Sequence, residues 1–362
     1  MRESFLDKLR IAATCAVVLL HTITGITDTI DMSLYPLEDR IFRVLLDLIC
    51  WSVPVFVIIS GYLFLNPARK IGMGKMVKKY CRRIVLALFL FGVPYACLEQ
   101  AAMDGSFRWE MIGKAFLMVL QGKSWSHMWY LYMILILYLL TPAIKYVLAR
   151  IPRAVVFGLA VLLFAGCSFM PWSSRVFGLN WPVLLPEKGI YLFYYICGYL
   201  FATGKGGEKA EKQLVSGLES EDCSETQSKS RIHWLGGLCF LLAAGMVCSR
   251  LSGTYVVLMA YSYPFTGILS LLLFGWGMMW PEPVEEKGKR ASLFWRKAAS
   301  LSFTVYLVHP VFLNIAYKAL HVTPLSFPLW LSLPLFFGGT LLLAVLTAAG
   351  LRKIEPLRKY VL

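Results

Sequence analysis

Ten apolar stretches divide the chain, near residues 9–26, 41–65, 83–101, 128–149, 154–171, 189–203, 233–249, 254–280, 298–319 and 328–351. A helical bilayer crossing needs about 20 mostly apolar residues, because hydrocarbon offers a backbone amide no partner outside its own segment. The sixth stretch is short and suits a tilt or a partial span. Composition agrees with this reading. Apolar residues make up 58% of the chain and charged residues 16%, against about 45–50% and about 25% in soluble domains. The expected fold is all-α, a polytopic bundle of about ten transmembrane helices. Such a protein is multi-pass in the cell membrane and has the lipid bilayer as its first partner.

Lysine and arginine set the orientation. With the N-terminus inside, most of the 36 basic residues fall in inner segments, densest from Arg69 to Arg83, from Lys205 to Arg231 and after Leu351. This is the positive-inside bias, and it places both termini in the cytoplasm. The net charge of +15 then calls for no nucleic acid, since basic loops against anionic lipid account for it. Residues 204–232 are rich in Gly, Ser, Glu and Lys and too polar to bury a core. They are expected to form a flexible cytoplasmic linker between spans one to six (1–203) and spans seven to ten (233–362). The nine cysteines form no CxxC pair and sit mostly in apolar runs, as small hydrophobes rather than a disulfide framework or a metal site. No small-x-small cleavage site follows His21, so the first span is expected to stay in the mature chain.

Within the spans a few polar groups stand out. Arg10 and His21 are eleven residues apart on the first span, which is three helical turns plus about 20°, so they share one stripe about 16 Å long. A histidine at such depth faces the bundle interior, either as a functional group or as interhelical hydrogen-bonding glue. Asp47 enters the second span at comparable depth. It can orient the His21 ring, or pair with Arg43 four residues earlier on its own helix. Tyr306 and His309 lie on adjacent turns of the ninth span, with Pro310 offering a kink at which His309 simply packs. His127 opens the fourth span beside Trp129 and Tyr130, an ordinary interfacial belt. His233 and His321 lie near loops and carry no signal. On the inner side Lys75, Lys78, Lys79, Arg82 and Arg83 crowd the start of the third span. They can bind phosphates or anchor the topology.

Several of these stretches, in order along the chain, resemble the motifs of one family. The Arg10-x10-His21 spacing after "LDK", "WSVPVFVIISGYLF" (51–64), "KKYCRRI" (78–84), "HMWYLYMILILYLLTP" (127–142), "YLFYYICGYLFA" (191–202) and "SLSFTVYLVHP" (300–310) resemble successive signatures of the acyltransferase-3 family of integral-membrane O-acyltransferases. They are most similar to those of its common-antigen O-acetyltransferase and serine-racemase membrane-domain branch. The resemblance runs from Leu6 to about Leu351. It departs at Lys78 and Lys79, where the family's basic element starts with arginine, and no extracytoplasmic or racemase domain is fused.

The resemblance implies transfer of an acyl group, usually acetyl, from cytoplasmic acyl-CoA (acetyl-CoA) to a hydroxyl of an extracytoplasmic glycan or related acceptor. The donor is a substrate; no permanently bound cofactor or metal is implied. Arg10, Lys79, Arg82 and Arg83 would hold the anionic end of the donor, and the pantetheine arm would thread along the Arg10–His21 stripe. His21 would act as general base on the acceptor hydroxyl or as a transient acyl carrier. Asp47, Tyr306 or His309 would fix its tautomer or stabilise the oxyanion. Two other classes stay open. A transporter of a polar metabolite or lipid-linked sugar would show an inverted repeat with broken helices, and none stands out. A non-catalytic membrane subunit would have no need of the Arg10–His21 pair.

Overall fold

A computed structural model describes residues 3–182, 185–215, 221–252, 260–280 and 286–362, with side chains except at 205–215, 221–231 and 286–292. In chain order the helices are α1 (Ser4–Thr27), α2 (Pro36–Ile49), α3 (Ser52–Phe64), α4 (Met73–Lys75), α5 (Arg82–Asp104), α6 (Glu110–Leu120), α7 (Trp129–Leu148) and α8 (Arg153–Phe164). They continue with α9 (Met170–Phe177), α10 (Ile190–Val215), α11 (Glu221–Leu251), α12 (Pro264–Met278), α13 (Glu286–Asn314), α14 (Leu329–Leu351) and α15 (Glu355–Tyr360). Among the described residues there is no strand.

Among the described residues eight helical stretches are long and apolar enough to cross a membrane: 4–27, 36–64, 73–104, 126–148, 153–177, 232–251, 293–319 and 329–351. The remaining two expected spans are the apolar first half of α10 and the shorter α12. The protein is thus a polytopic helical membrane bundle. Prolines 94, 142, 310 and 334 lie inside helices, as membrane helices tolerate where neighbours satisfy the freed carbonyl. The second span is broken at Cys50 and Trp51 into α2 and α3. Three short π-helical segments, Met76–Cys81, Ala165–Phe169 and Ile315–Ala319, interrupt or extend other spans. Gly105 and Gly178, both at positive φ, end α5 and α9, the left-handed cap that glycine adopts without a Cβ penalty.

The polar segment expected as a flexible linker differs in part. The backbone of 204–215 continues α10 and that of 221–232 belongs to α11, while 216–220 lie outside the described residues. Polarity decides burial, not helicity, and "GEKAEKQ" holds good helix formers. Sequence periodicity also passed over α6, a short helix that buries Met111, Ala115 and Val119, one every fourth residue, on one face and packs against α5.

The chain divides into two compact units. The larger comprises residues 1–66 and 151–345. In it α1 packs along α13 and against α3, α3 packs along α10, and α11 packs against α2 and α12. Its contact between α3 and α10 is very close. A Cβ on Gly61 would fall 2.0 Å from the Tyr195 carbonyl oxygen, and one on Gly198 would fall 2.3 Å from the Tyr62 nitrogen. Small residues at such crossings let two backbones meet, the main route to tight association where lipid removes the hydrophobic drive. The smaller unit comprises 67–150 and 346–362, with α5 packed against α6, α7 and α15.

Candidate active site

α1 and α13 carry the two intramembrane histidines. Both helices run the same way along the chain from a polar start, and each bears its histidine near the end of its regular stretch. The rings of His21 and His309 lie with centroids 5.2 Å apart, so two positions separated by nearly 290 residues of sequence form one pair. His309 is fully buried, whereas His21 is half-buried. The Nδ1 of His309 lies 3.0 Å from the Val305 carbonyl oxygen. A carbonyl only accepts, so Nδ1 carries the hydrogen, which leaves Nε2 as the acceptor of the neutral ring. Tyr306, three residues before His309 on the same helix, stands with its ring 6.2 Å from that imidazole.

Further phenols gather nearby that sequence reasoning did not single out. Tyr261 lies within electrostatic reach of Tyr306, Tyr191 and Cys50. The Tyr194 hydroxyl donates to the Tyr261 carbonyl at 2.6 Å. Tyr191 and Tyr194 belong to the stretch 191–202 quoted above. In sequence they are indistinguishable from an aromatic belt, and only the packing of α10 turns them inward.

Asp47 has another partner than either expected. Its Oδ2 accepts from Arg250 Nε at 2.8 Å and its Oδ1 from Arg250 Nη2 at 3.0 Å. Arg43 instead donates to Asp39 at 2.7 Å. Asp47 is 2% exposed and Arg250 13%, so this bidentate pair ties α2 to α11 in a nearly dry setting. Both Asp47 oxygens are thus engaged by Arg250, with Arg43 within electrostatic reach. The signal in sequence was a lone arginine at the end of the seventh span, at the depth of a lone aspartate.

At the other end of α1, Arg10 Nη1 reaches Asp7 Oδ1 at 3.3 Å, one turn back. Between Arg10 and His21 the stripe is packed: Thr14, Val17 and Val18 are buried. A threaded arm along that stripe therefore has to displace side chains. The basic cluster belongs to the smaller unit. Lys75, Lys78, Lys79 and Arg82 are exposed. The helix there is π-helical from Met76 through Cys81. Arg82 lies over the Tyr360 ring at 5.1 Å, and Arg83 Nε donates to the Val361 carbonyl at 2.9 Å. His127, read as an interfacial anchor, is buried instead. Its ring lies 6.1 Å from Tyr95 and 6.0 Å from Trp125, which stack on each other at 4.3 Å. It is part of the smaller unit.

Among the described residues no cluster of three or more histidines, cysteines or carboxylates suits a metal ion. The sequence profile of a family described as an acyltransferase domain matches residues 3–349, nearly the whole chain. No curated protein and no solved structure matches the chain.

Proposed function

The chain belongs to the acyltransferase-3 family, and we propose that this membrane acyltransferase moves an acetyl group from cytoplasmic acetyl-CoA to a hydroxyl of an extracytoplasmic glycan or related cell-envelope acceptor. The observation that carries the reading is the His21–His309 pair, 5.2 Å between centroids, with His21 the more accessible ring.

The chemistry is a direct acyl transfer. His21 accepts the proton of the acceptor hydroxyl as its oxygen attacks the thioester carbonyl. The C–S bond breaks, and the proton returns from the imidazolium to the departing thiolate. General-base assistance of this kind contributes about 10²–10⁴-fold. His309, with its Nδ1 hydrogen held by Val305, offers its Nε2 side to this centre, and Tyr306 offers a phenol to the developing oxyanion. Lys79 and Arg82, both in the smaller unit, are suited to the donor's phosphates, because guanidinium and ammonium groups bind phosphate oxygens through charge-assisted hydrogen bonds. Arg83 is the weakest of that set, being committed to a backbone carbonyl.

The test is His21→Gln in purified, membrane-reconstituted protein. An amide keeps a hydrogen bond but takes up no proton at neutral pH, so turnover per folded molecule should fall at least about 100-fold. A glutamine variant that turns over normally overturns the assignment.

A further inference from the structure

Tyr317 lies in the π-helical turn Ile315–Ala319 that continues α13. Its hydroxyl donates at 3.0 Å to the carbonyl oxygen of Thr22, the residue after His21, and both residues are buried. The reach follows from local geometry. Tyr317 is eight residues past His309, about 12 Å of helix, and helical side chains lean back toward the N-terminus. Eight residues of regular helix would leave it about 80° around from His309. The π turn, closed by the Leu320 amide on the Ile315 carbonyl at 3.0 Å, holds more residues per turn and lessens that offset. His309 and Tyr317 thus both face α1.

On α1, Gly25 occupies the face of His21 one turn later. The Tyr317 ring lies so close to it that a Cβ there would fall 2.8 Å from the ring. Phe336 of α14 flanks the ring as well, with centroids 5.9 Å apart. A further edge of Tyr317 borders a cavity of about 250 Å³ that Thr29, Tyr35 and His321 also line, so packing does not hold the ring from every side. The hydroxyl bond fixes where it stops. The Thr22 carbonyl has a second lone pair to offer beyond its own helix, and its place moves with that of His21. Shifting α1 by one residue, about 1.5 Å and 100°, takes the carbonyl out of the phenol's reach. An interhelical hydrogen bond in a membrane shifts the folding equilibrium only about threefold on average. A misplacement of about 1 Å at a reacting group costs about 10²-fold in rate. Register is therefore the larger of the two effects this bond controls.

We propose that Tyr317 is a positioning residue: through its bond to Thr22 it sets the register of α1 on α13 and so keeps His21 beside His309. The consequence for rate rests on the acyl-transfer reading, whereas the register itself does not.

Tyr317→Phe tests this, because it keeps the ring beside Gly25 and Phe336 and removes only the hydroxyl. Gly25→Ala is the second variant: its methyl group displaces the ring and leaves the hydroxyl on it. The full chain is labelled with ¹⁵N-histidine in nanodiscs, and the ring signals of His21, His309 and His127 are assigned by replacing each with Gln. In both variants the His21 and His309 signals should move, while that of His127, in the smaller unit, stays. Thiol release from acetyl-CoA, with water standing in for the acceptor, should fall about 10- to 100-fold in kcat with KM unchanged. Unmoved His21 and His309 signals in either variant, a His127 signal that moves with them, or an unaltered kcat overturns the proposal. Normal thiol release by His21→Gln would instead mark a failure of the transfer reading, which the ring signals keep apart because they need no turnover.

Discussion

Gly61 of α3 and Gly198 of α10 meet back to back, each leaving room for the other helix's backbone and for nothing larger. The two glycines sit in "SGYL" and "CGYL", two stretches that look alike and turn out to be the two halves of one helix crossing. Gly61→Ala or Gly198→Ala should therefore separate α3 from α10. Overpacking of this sort costs about 1–3 kcal/mol, and the expected result is a lower melting temperature for each variant. Alanine variants that melt like the wild type would show that the crossing adapts freely.

The Asp47–Arg250 pair predicts a structural rather than a chemical phenotype. Asp47→Asn leaves a nearly buried guanidinium without its counter-charge, a loss of roughly 3–5 kcal/mol for a buried pair. Yield and melting temperature should fall while turnover per folded molecule stays near that of the wild type. Replacing both residues, as Asp47→Leu with Arg250→Leu, should recover much of the stability. A stable Asp47→Asn protein with lost turnover would return Asp47 to the reaction.

His309→Gln separates a positioning role from the base itself. The variant keeps a side-chain donor near Val305 but has no imidazole beside His21. Its kcat should fall less than that of His21→Gln, with the acetyl-CoA KM unchanged and the pH profile of kcat displaced. Equal losses in the two variants would make the pair a single catalytic unit, and an unaltered profile would reduce His309 to packing.

The basic cluster predicts a graded effect on the donor. Arg82→Gln should raise the acetyl-CoA KM, by about tenfold for one lost charge-assisted contact. Arg83→Gln should act mainly on stability, since it removes the hydrogen bond to Val361. Identical KM effects from the two variants would contradict this division.

Orientation is checked with a membrane-impermeant maleimide on whole cells. Cys223 lies in the polar segment expected inside, and Cys248 is exposed near the other end of α11. In a Cys248→Ser background Cys223 should label only after permeabilisation. Ready labelling of intact cells would reverse the orientation and the direction of transfer.

What the sequence determined by itself was the helical membrane class and the place of most apolar spans, because length and hydropathy are local properties and a bilayer leaves little choice beyond a helix. It also determined that Arg10 and His21 share a stripe, since eleven residues on one uninterrupted helix fix that geometry. Partners are another matter. That His309 faces His21, that Asp47 meets Arg250 rather than Arg43, and that Tyr317 reaches back to Thr22 each depend on which helix packs beside which. One-dimensional spacing carries no record of that. His321 is the sharpest instance. Near a loop it signals nothing, and only the folding of 315–326 over the ends of α1 and α13 makes it a wall of a cavity. Helix positions follow from local hydrophobicity. The site follows from contacts between residues up to nearly 300 positions apart, and those exist only once the bundle has closed.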